Sequence, residues 1–327
     1  MIDLADRRTW IEAAGFAAIA TLFYQSPVLV MAFLIPLELL MLRRGEEWYA
    51  IACGITLVLV LATKLIQFSR VQGLELSAGL MLLELFMPVL FMGGLYVLST
   101  PRLDGYRRLY RFLAVAVTAG IVSIPVVIYL GQSDLFTQAL QAQLQHAEQI
   151  VAQSSGAATG DSVPAPPEAM QQLLRMATQL ILSSYVFGFA VVLAGNWYAA
   201  RLLATRFFRK NVSVPRLERF VLPPWAVWAL LVPWAGVLLD AVSGLGVFRY
   251  PVWNAALVML FLYGMQGIGI LWHVLDKYNM SRGVRMFIGV GLIILILVPG
   301  LNVLVAVGIP GLGVSEIWIN YNRFERR

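Results

Sequence analysis

The chain has 327 residues, of which 60% are hydrophobic and only 13% are charged, and its mean hydropathy is +0.77. Soluble domains are about 45–50% apolar and about a quarter charged, so this composition excludes a soluble globular protein. The net charge of +6 comes from basic residues in short loops between apolar runs, which indicates membrane topology and anionic lipid rather than nucleic acid. One cysteine and two distant histidines predict no disulfide, metal site or cofactor.

Continuous apolar runs divide the sequence, and their lengths suit membrane-spanning helices better than the alternating strands of a barrel. We therefore predict an all-α polytopic bundle of about 8–9 membrane segments, forming a single integral membrane domain over residues 1–327. The nine apolar segments lie at about 9–25, 27–42, 48–66, 76–99, 110–131, 174–202, 223–245, 253–275 and 286–310.

Two of these segments contain turn signals. The first and second flank Gln25-Ser26-Pro27, which predicts either a tight hairpin or one broken element. The last contains Pro299-Gly300, so it is either a single span or a re-entrant hairpin turning at Pro299–Asn302. We favour the hairpin because it returns the basic tail to the cytoplasm.

The distribution of loop charge predicts orientation. The segment from Gly131 to Leu174 has no lysine or arginine, which places it outside, whereas the 276–285 loop is basic. We expect a bacterial inner-membrane protein with its N-terminus in the cytoplasm. The basic residues of the two longer cytoplasmic loops are Arg102, Arg107, Arg108 and Arg111, then Arg206, Arg209 and Lys210.

The outside segment, residues 132–173, is predicted to be an extracytoplasmic insertion. Residues 134–151 have one apolar stripe and predict an amphipathic helix, and the Ser-, Gly-, Ala- and Pro-rich stretch 153–167 predicts a flexible linker. A second helical stretch from Glu168 leads into the sixth segment. The amphipathic helix either lies on the outer leaflet or covers an outward-facing cavity.

Ionisable residues inside apolar segments are candidates for function because they are costly in lipid. Glu84 is the strongest, either as a ligand or proton site or as a buried carboxyl bonded to another helix. Glu38 is expected to pair locally with Arg43 and Arg44, and Glu12 to lie at the interface.

The eighth segment carries a polar stripe of Tyr263, Gln266 and His273, beside glycines that permit close helix approach. This stripe is either helix-packing glue or a ligand-lining face. In the first segment, two small-residue pairs predict a docking face, for another helix of this chain or for a partner subunit. The pairs are Ala13 with Ala17, and Ala14 with Ala18.

Four stretches carry a family resemblance: Phe33–Gly45, Arg219–Trp228, Asn254–Val274 and the tail Gly311–Arg323. They resemble the YybS-like family of bacterial membrane proteins, which is distantly similar to the S components of energy-coupling-factor transporters. S components bind vitamins or metals in a cavity open to the outside and dock a partner subunit through an alanine-rich first helix. The resemblance implies that docking role for the alanine pairs.

These observations leave two main functional hypotheses. One is the substrate-binding membrane subunit of a small-molecule uptake system, with a ligand near Glu84, Tyr263 and Gln266 and a separate energising partner. The other is a non-catalytic partner or scaffold subunit of a larger membrane complex. The absence of Walker A, HExxH and GxSxG motifs argues against an ATPase and an enzyme.

Overall fold

A computed structural model describes residues 7–70, 78–132, 167–208, 214–319 and 321. Within these residues all regular structure is helical, with short 3₁₀ turns between several α-helices. The α-helices are α1 (Arg7–Gln25), α2 (Leu34–Arg44), α3 (Glu46–Arg70), α4 (Ala78–Ser99), α5 (Arg108–Gln132), α6 (Pro167–Phe207), α7 (Ala226–Ser243), α8 (Arg249–Lys277), α9 (Arg282–Leu297) and α10 (Asn302–Ser315).

Each predicted apolar segment falls on a helix or a pair of helices, which confirms the all-α prediction. Five described helices are long and apolar enough to cross a membrane, so the predicted 8–9 membrane segments are not all matched by spanning helices. The five stretches are Glu46–Ile66, Arg108–Pro125, Met176–Phe207, Ala226–Ser243 and Gly246–Lys277.

The α1–α2 pair is a helical hairpin, one of the two predicted alternatives. Arg43 and Arg44 near the end of α2 donate to Glu12 near the start of α1, at 3.1 and 3.0 Å. The connecting turn is closed by the Val30 amide, which donates to the Ser26 carbonyl at 2.9 Å. With 11 residues, α2 is only about 16 Å long, roughly half the thickness of a bilayer core.

Helix α8 occupies a central position, because it packs against α6, α7 and α10. Its contact with α10 is a close backbone approach: a β-carbon at Gly267 would collide with the Ile309 carbonyl, and one at Gly313 with the Tyr263 carbonyl. Small residues at these positions therefore allow the two helices to touch, as the glycine pattern of the eighth segment predicted.

The last apolar segment is broken where the Pro-Gly pair predicted. Helix α9 ends at Leu297, α10 begins at Asn302, and Gly300 between them has a φ of +87°, a conformation that favours glycine. The side of the membrane reached by the tail stays a prediction.

Helix α6 begins at Pro167, in agreement with the helical stretch predicted from Glu168. The predicted amphipathic helix at 134–151 and nearly all of the predicted linker lie outside the described residues.

Candidate functional site

The basic segments of the chain meet at one end of the bundle, here called the basic end. The guanidinium of Arg43 lies 5.2 Å from the centre of the Phe208 ring, and Arg102 pairs with Glu46 at 3.1 Å. Arg108 lies 5.6 Å from the centre of the Trp197 indole. Arginine contacts therefore join segments that are far apart in sequence, as expected if the basic loops lie on the same side of the membrane.

Glu12 is the anchor of the α1–α2 hairpin at this end. Its Oε1 atom lies 3.1 Å from Arg43 Nη2 and 3.8 Å from Arg8 Nε, and its Oε2 atom lies 2.9 Å from Arg44 Nη2. The predicted pairing of Glu38 with Arg43 and Arg44 is therefore wrong. Both arginines face α1, whereas Glu38 lies on the face of α2 that meets α4 and α6.

Two further residues, Glu46 and Arg111, hold the connection between α4 and α5 in place. Glu46 accepts hydrogen bonds from Thr100 at 2.6 Å and from Tyr96 at 3.1 Å. Arg111 donates to the carbonyls of Leu98 and Thr100 near the end of α4 and to Asp104 at 2.8 Å. The hydrogen bond from Arg111 lowers the pKa of the Asp104 carboxyl, and it ties the loop between α4 and α5 to the first turn of α5.

Glu38 belongs instead to a buried polar cluster with Ser99, Trp197 and Arg201. The Ser99 hydroxyl donates to Glu38 Oε1 at 2.6 Å, and Arg201 Nη2 lies 3.8 Å from the same oxygen. Glu38 is fully buried and Arg201 is 7% exposed. Among the described protein atoms, Glu38 Oε2, Arg201 Nε and Trp197 Nε1 have no hydrogen-bond partner.

Beside this cluster lies a cavity of about 140 Å³, the candidate binding site. Its walls are almost entirely carbon, and the exposed residues Arg108 and Arg216 are the two charged residues among its lining. No carboxylate is among the described residues that line it. The lining comes from α4, α5, α6, the 215–220 segment and α8: Leu98, Arg108, Leu109, Phe112, Ala194, Trp197, Tyr198, Pro215, Arg216, Leu217, Phe220, Leu262 and Met265.

Trp197 connects the cavity to the buried cluster. Its indole lines the cavity, while the Arg201 guanidinium lies 4.5 Å from the centre of the same ring. Two arginines, Arg108 and Arg201, are thus held against one indole, an arrangement stabilised by cation–π attraction. The cavity is therefore bordered by positive charge on its exposed side and on its buried side.

The ligand residues suggested by the sequence are not brought together at this cavity. Gln266 is buried, and its carboxamide accepts from the Leu222 amide at 2.9 Å and donates to the Gly313 carbonyl at 3.0 Å and to Glu316 at 2.7 Å. Tyr263 is buried beside α10, and His273 lies about three turns further along α8. These positions favour the packing alternative for the stripe, and the Glu84 side chain lies outside the described residues.

The alanine pairs of α1 divide between two faces. Ala13 and Ala17 have no exposed surface, and the Thr56 hydroxyl of α3 lies 3.5 Å from the Ala17 carbonyl. Ala14 and Ala18 are exposed on the other side of the helix. One pair therefore packs inside this chain, and the other is presented to the surroundings.

Arg108 was predicted to be a basic loop residue, but the sequence predicted no cavity beside it. Arg201 lies near the end of the sixth apolar segment, and α6 continues past it to Phe207 and buries it. No single stretch of sequence predicted the cavity, because it is assembled from five separated segments. The available clue was Trp197 one turn before Arg201, at the end of a long apolar run.

Comparison with known proteins agrees with the membrane assignment. No curated protein and no solved structure matches the chain. A family model described as a predicted membrane protein matches residues 14–310, nearly the whole sequence. The chain therefore belongs to the DUF2232 family of predicted membrane proteins.

Proposed function

We propose that this protein is a ligand-binding membrane subunit without catalytic activity, and that its ligand is an amphipathic anion. The observation that carries the proposal is the cavity at the basic end, which combines carbon walls with two arginines and no carboxylate among its described lining residues. The proposal keeps the predicted small-molecule binding subunit, but it assigns the ligand to this cavity instead of to the Tyr263–Gln266 stripe.

The volume of the cavity limits what can enter it. A cavity of about 150 Å³ lined by apolar side chains binds a molecule as large as benzene. A space of about 140 Å³ therefore suits one ring or a short alkyl segment, but not a whole lipid tail. Burying each methylene contributes about 0.8 kcal/mol, so a segment of a few carbons supplies useful affinity.

The arginines supply the selectivity for charge. Guanidinium groups bind carboxylates and phosphates through paired hydrogen bonds, and Arg108 and Arg216 are exposed at the cavity. An anionic head group at the rim would meet both, while its apolar part entered the cavity. The positive-inside rule supports a cytoplasmic position for this end, as expected for an inner-membrane protein.

The first prediction tests this site with butyl phosphate, a phosphate with a four-carbon chain that fits the cavity volume. We expect the protein in maltoside detergent to bind it, and the double change Arg108→Gln with Arg216→Gln to weaken binding at least about tenfold, since each tenfold step is only 1.4 kcal/mol. Isothermal titration calorimetry measures the affinity, with native mass spectrometry for stoichiometry.

Arg107→Gln is the matched control, because Arg107 is exposed beside Arg108 but does not line the cavity. Leu262→Trp fills the cavity and should abolish binding without changing charge. Equal affinities in all four proteins, or no binding by the wild type, would contradict the proposal.

A partner subunit is the second element of the proposed function. The exposed face of α1 carries Ala14, Gly15 and Ala18, small residues that let another helix approach closely. This supports either an uptake system with a separate energising subunit or a scaffold role in a larger complex. Gentle extraction from the native membrane, followed by mass spectrometry of co-purified proteins and small molecules, distinguishes the two.

A further inference from the structure

The Glu38–Arg201 pair is incomplete. Its shortest N–O distance is 3.8 Å, which is too long for a hydrogen bond, and Glu38 Oε1 is instead held by Ser99 at 2.6 Å. Glu38 Oε2 and Arg201 Nε have no hydrogen-bond partner among the described atoms, although both side chains are buried. Buried charges are normally tolerated only when they are closely paired and their remaining polar atoms are bonded.

The arginine of this pair is also within reach of the cavity. Arg201 lies on the Trp197 indole, and the same indole forms part of the cavity wall. Arginine has a long side chain with several rotatable bonds, so its guanidinium can move around the edge of the ring while its backbone stays in α6. Arg201 therefore has two potential counter-ions, Glu38 on the buried side and a ligand anion on the cavity side.

We infer that Glu38 is an internal counter-anion that competes with the bound ligand's anionic group for Arg201. The inference rests on the proposed function and deepens it by assigning Arg201 and Glu38 as residues that set the affinity for charge. Ser99 takes part because its hydrogen bond holds Glu38 away from Arg201. Because the Glu38–Arg201 pairing is loose, Arg201 stays available to the ligand. An anion at the rim near Arg108 and Arg216 then has Arg201 as a third guanidinium partner.

The test uses butyl phosphate as the probe and three variants, one expected to raise its affinity and two expected to lower it. Glu38→Gln removes the competing charge, so affinity should rise about fivefold to tenfold, the lower part of the range of typical couplings between sites. Ser99→Ala releases Glu38 to pair closely with Arg201, so affinity should fall. Arg201→Gln should weaken binding and also cancel the effect of Glu38→Gln in the double variant.

A neutral ligand separates charge competition from a general change of shape. Butanol has the same four-carbon chain without the charge, so its affinity should be unaffected by Glu38→Gln and Ser99→Ala. Thermal unfolding of each purified variant shows whether it folds. If Glu38→Gln does not fold, Ser99→Ala alone decides, because an unchanged or increased affinity in that variant overturns the inference.

The outcomes also separate this inference from the proposed function. Failure of the wild type to bind butyl phosphate overturns both. Binding that depends on Arg108 and Arg216 but is unchanged by Glu38→Gln, or equal gains for butyl phosphate and butanol, overturns the inference and leaves the proposed function standing.

Discussion

Asn254 of α8 joins two helices through both ends of its carboxamide. Its Oδ1 accepts from the Val186 amide at 2.8 Å, and its Nδ2 donates to the carbonyls of Leu182 at 2.8 Å and Tyr250 at 2.9 Å. The side chain thus bonds the backbone N–H and C=O groups of α6 that are one turn apart. Because the residue is buried, the two bonds to Val186 and Leu182 of α6 contribute to helix association, whereas the bond to Tyr250 lies within α8.

We predict that Asn254→Ala lowers the free energy of unfolding by roughly 1–2 kcal/mol, the sum expected for membrane hydrogen bonds. Asn254→Asp should be more damaging, because an ionised carboxylate accepts hydrogen bonds only and would face two carbonyl oxygens. Thermal unfolding of the detergent-purified proteins measures the order of stability of wild type, Asn254→Ala and Asn254→Asp. An Asp variant as stable as wild type would show that the Nδ2 bonds contribute little.

Residue pairings across the bundle were beyond the sequence for a physical reason. Glu38 was assigned to the arginines five and six positions ahead, because neighbours along a helix are the only partners a sequence reveals. The actual partners, Ser99 and Arg201, come from α4 and α6. Choosing among distant partners requires knowing which helices are adjacent, and hydropathy does not encode adjacency.

At the scale of helices, the sequence was a better guide. Apolar run length placed the helices, and Pro299-Gly300 and Ser26-Pro27 marked the two breaks, because these residues cannot continue an α-helix without loss of hydrogen bonds or strain. The number of true crossings was less predictable. Helix α2 lies in a predicted apolar segment, but its 11 residues are too few to cross a bilayer, and its apolar side chains are largely buried against other helices.

The contact between α8 and α10 gives a prediction at this scale. Gly267→Ala should disrupt it, because the new methyl would collide with the Ile309 carbonyl and the backbone of α10 would have to move. Gly264→Ala is the control on the same helix, since its methyl would meet Pro310 at an ordinary 3.7 Å. Overpacking typically costs about 1–3 kcal/mol.

Thermal unfolding and limited proteolysis of the chain after Leu297 measure the difference between the two glycine variants. The Gly267 variant should unfold at a lower temperature and be cleaved sooner, and the Gly264 variant should resemble wild type. Identical behaviour would mean that α10 moves without loss of packing.

For the whole molecule, the clustering of arginines gives the bundle a polarity along its axis. Arg43, Arg102 and Arg108 meet at the basic end, whereas Asn254 and the α7–α8 connection lie at the other. By the positive-inside rule, we expect such a bundle to insert with its arginine-rich end on the cytoplasmic side. This predicts that the cavity faces the cytoplasm.

Cysteine labelling tests this orientation directly. Tyr106 at the basic end is 66% exposed and Val247 in the α7–α8 connection is 80% exposed, so a cysteine at either site should react readily where reagent has access. We predict that a membrane-impermeant maleimide labels Val247→Cys in intact cells but labels Tyr106→Cys only in inside-out vesicles. The single native cysteine, Cys53, is buried and gives a low background. The reverse pattern would place the arginine-bordered cavity outside the cell. Ligands would then be captured from the surroundings, and this would favour the uptake form of the proposed function over a form that binds cytoplasmic amphiphiles.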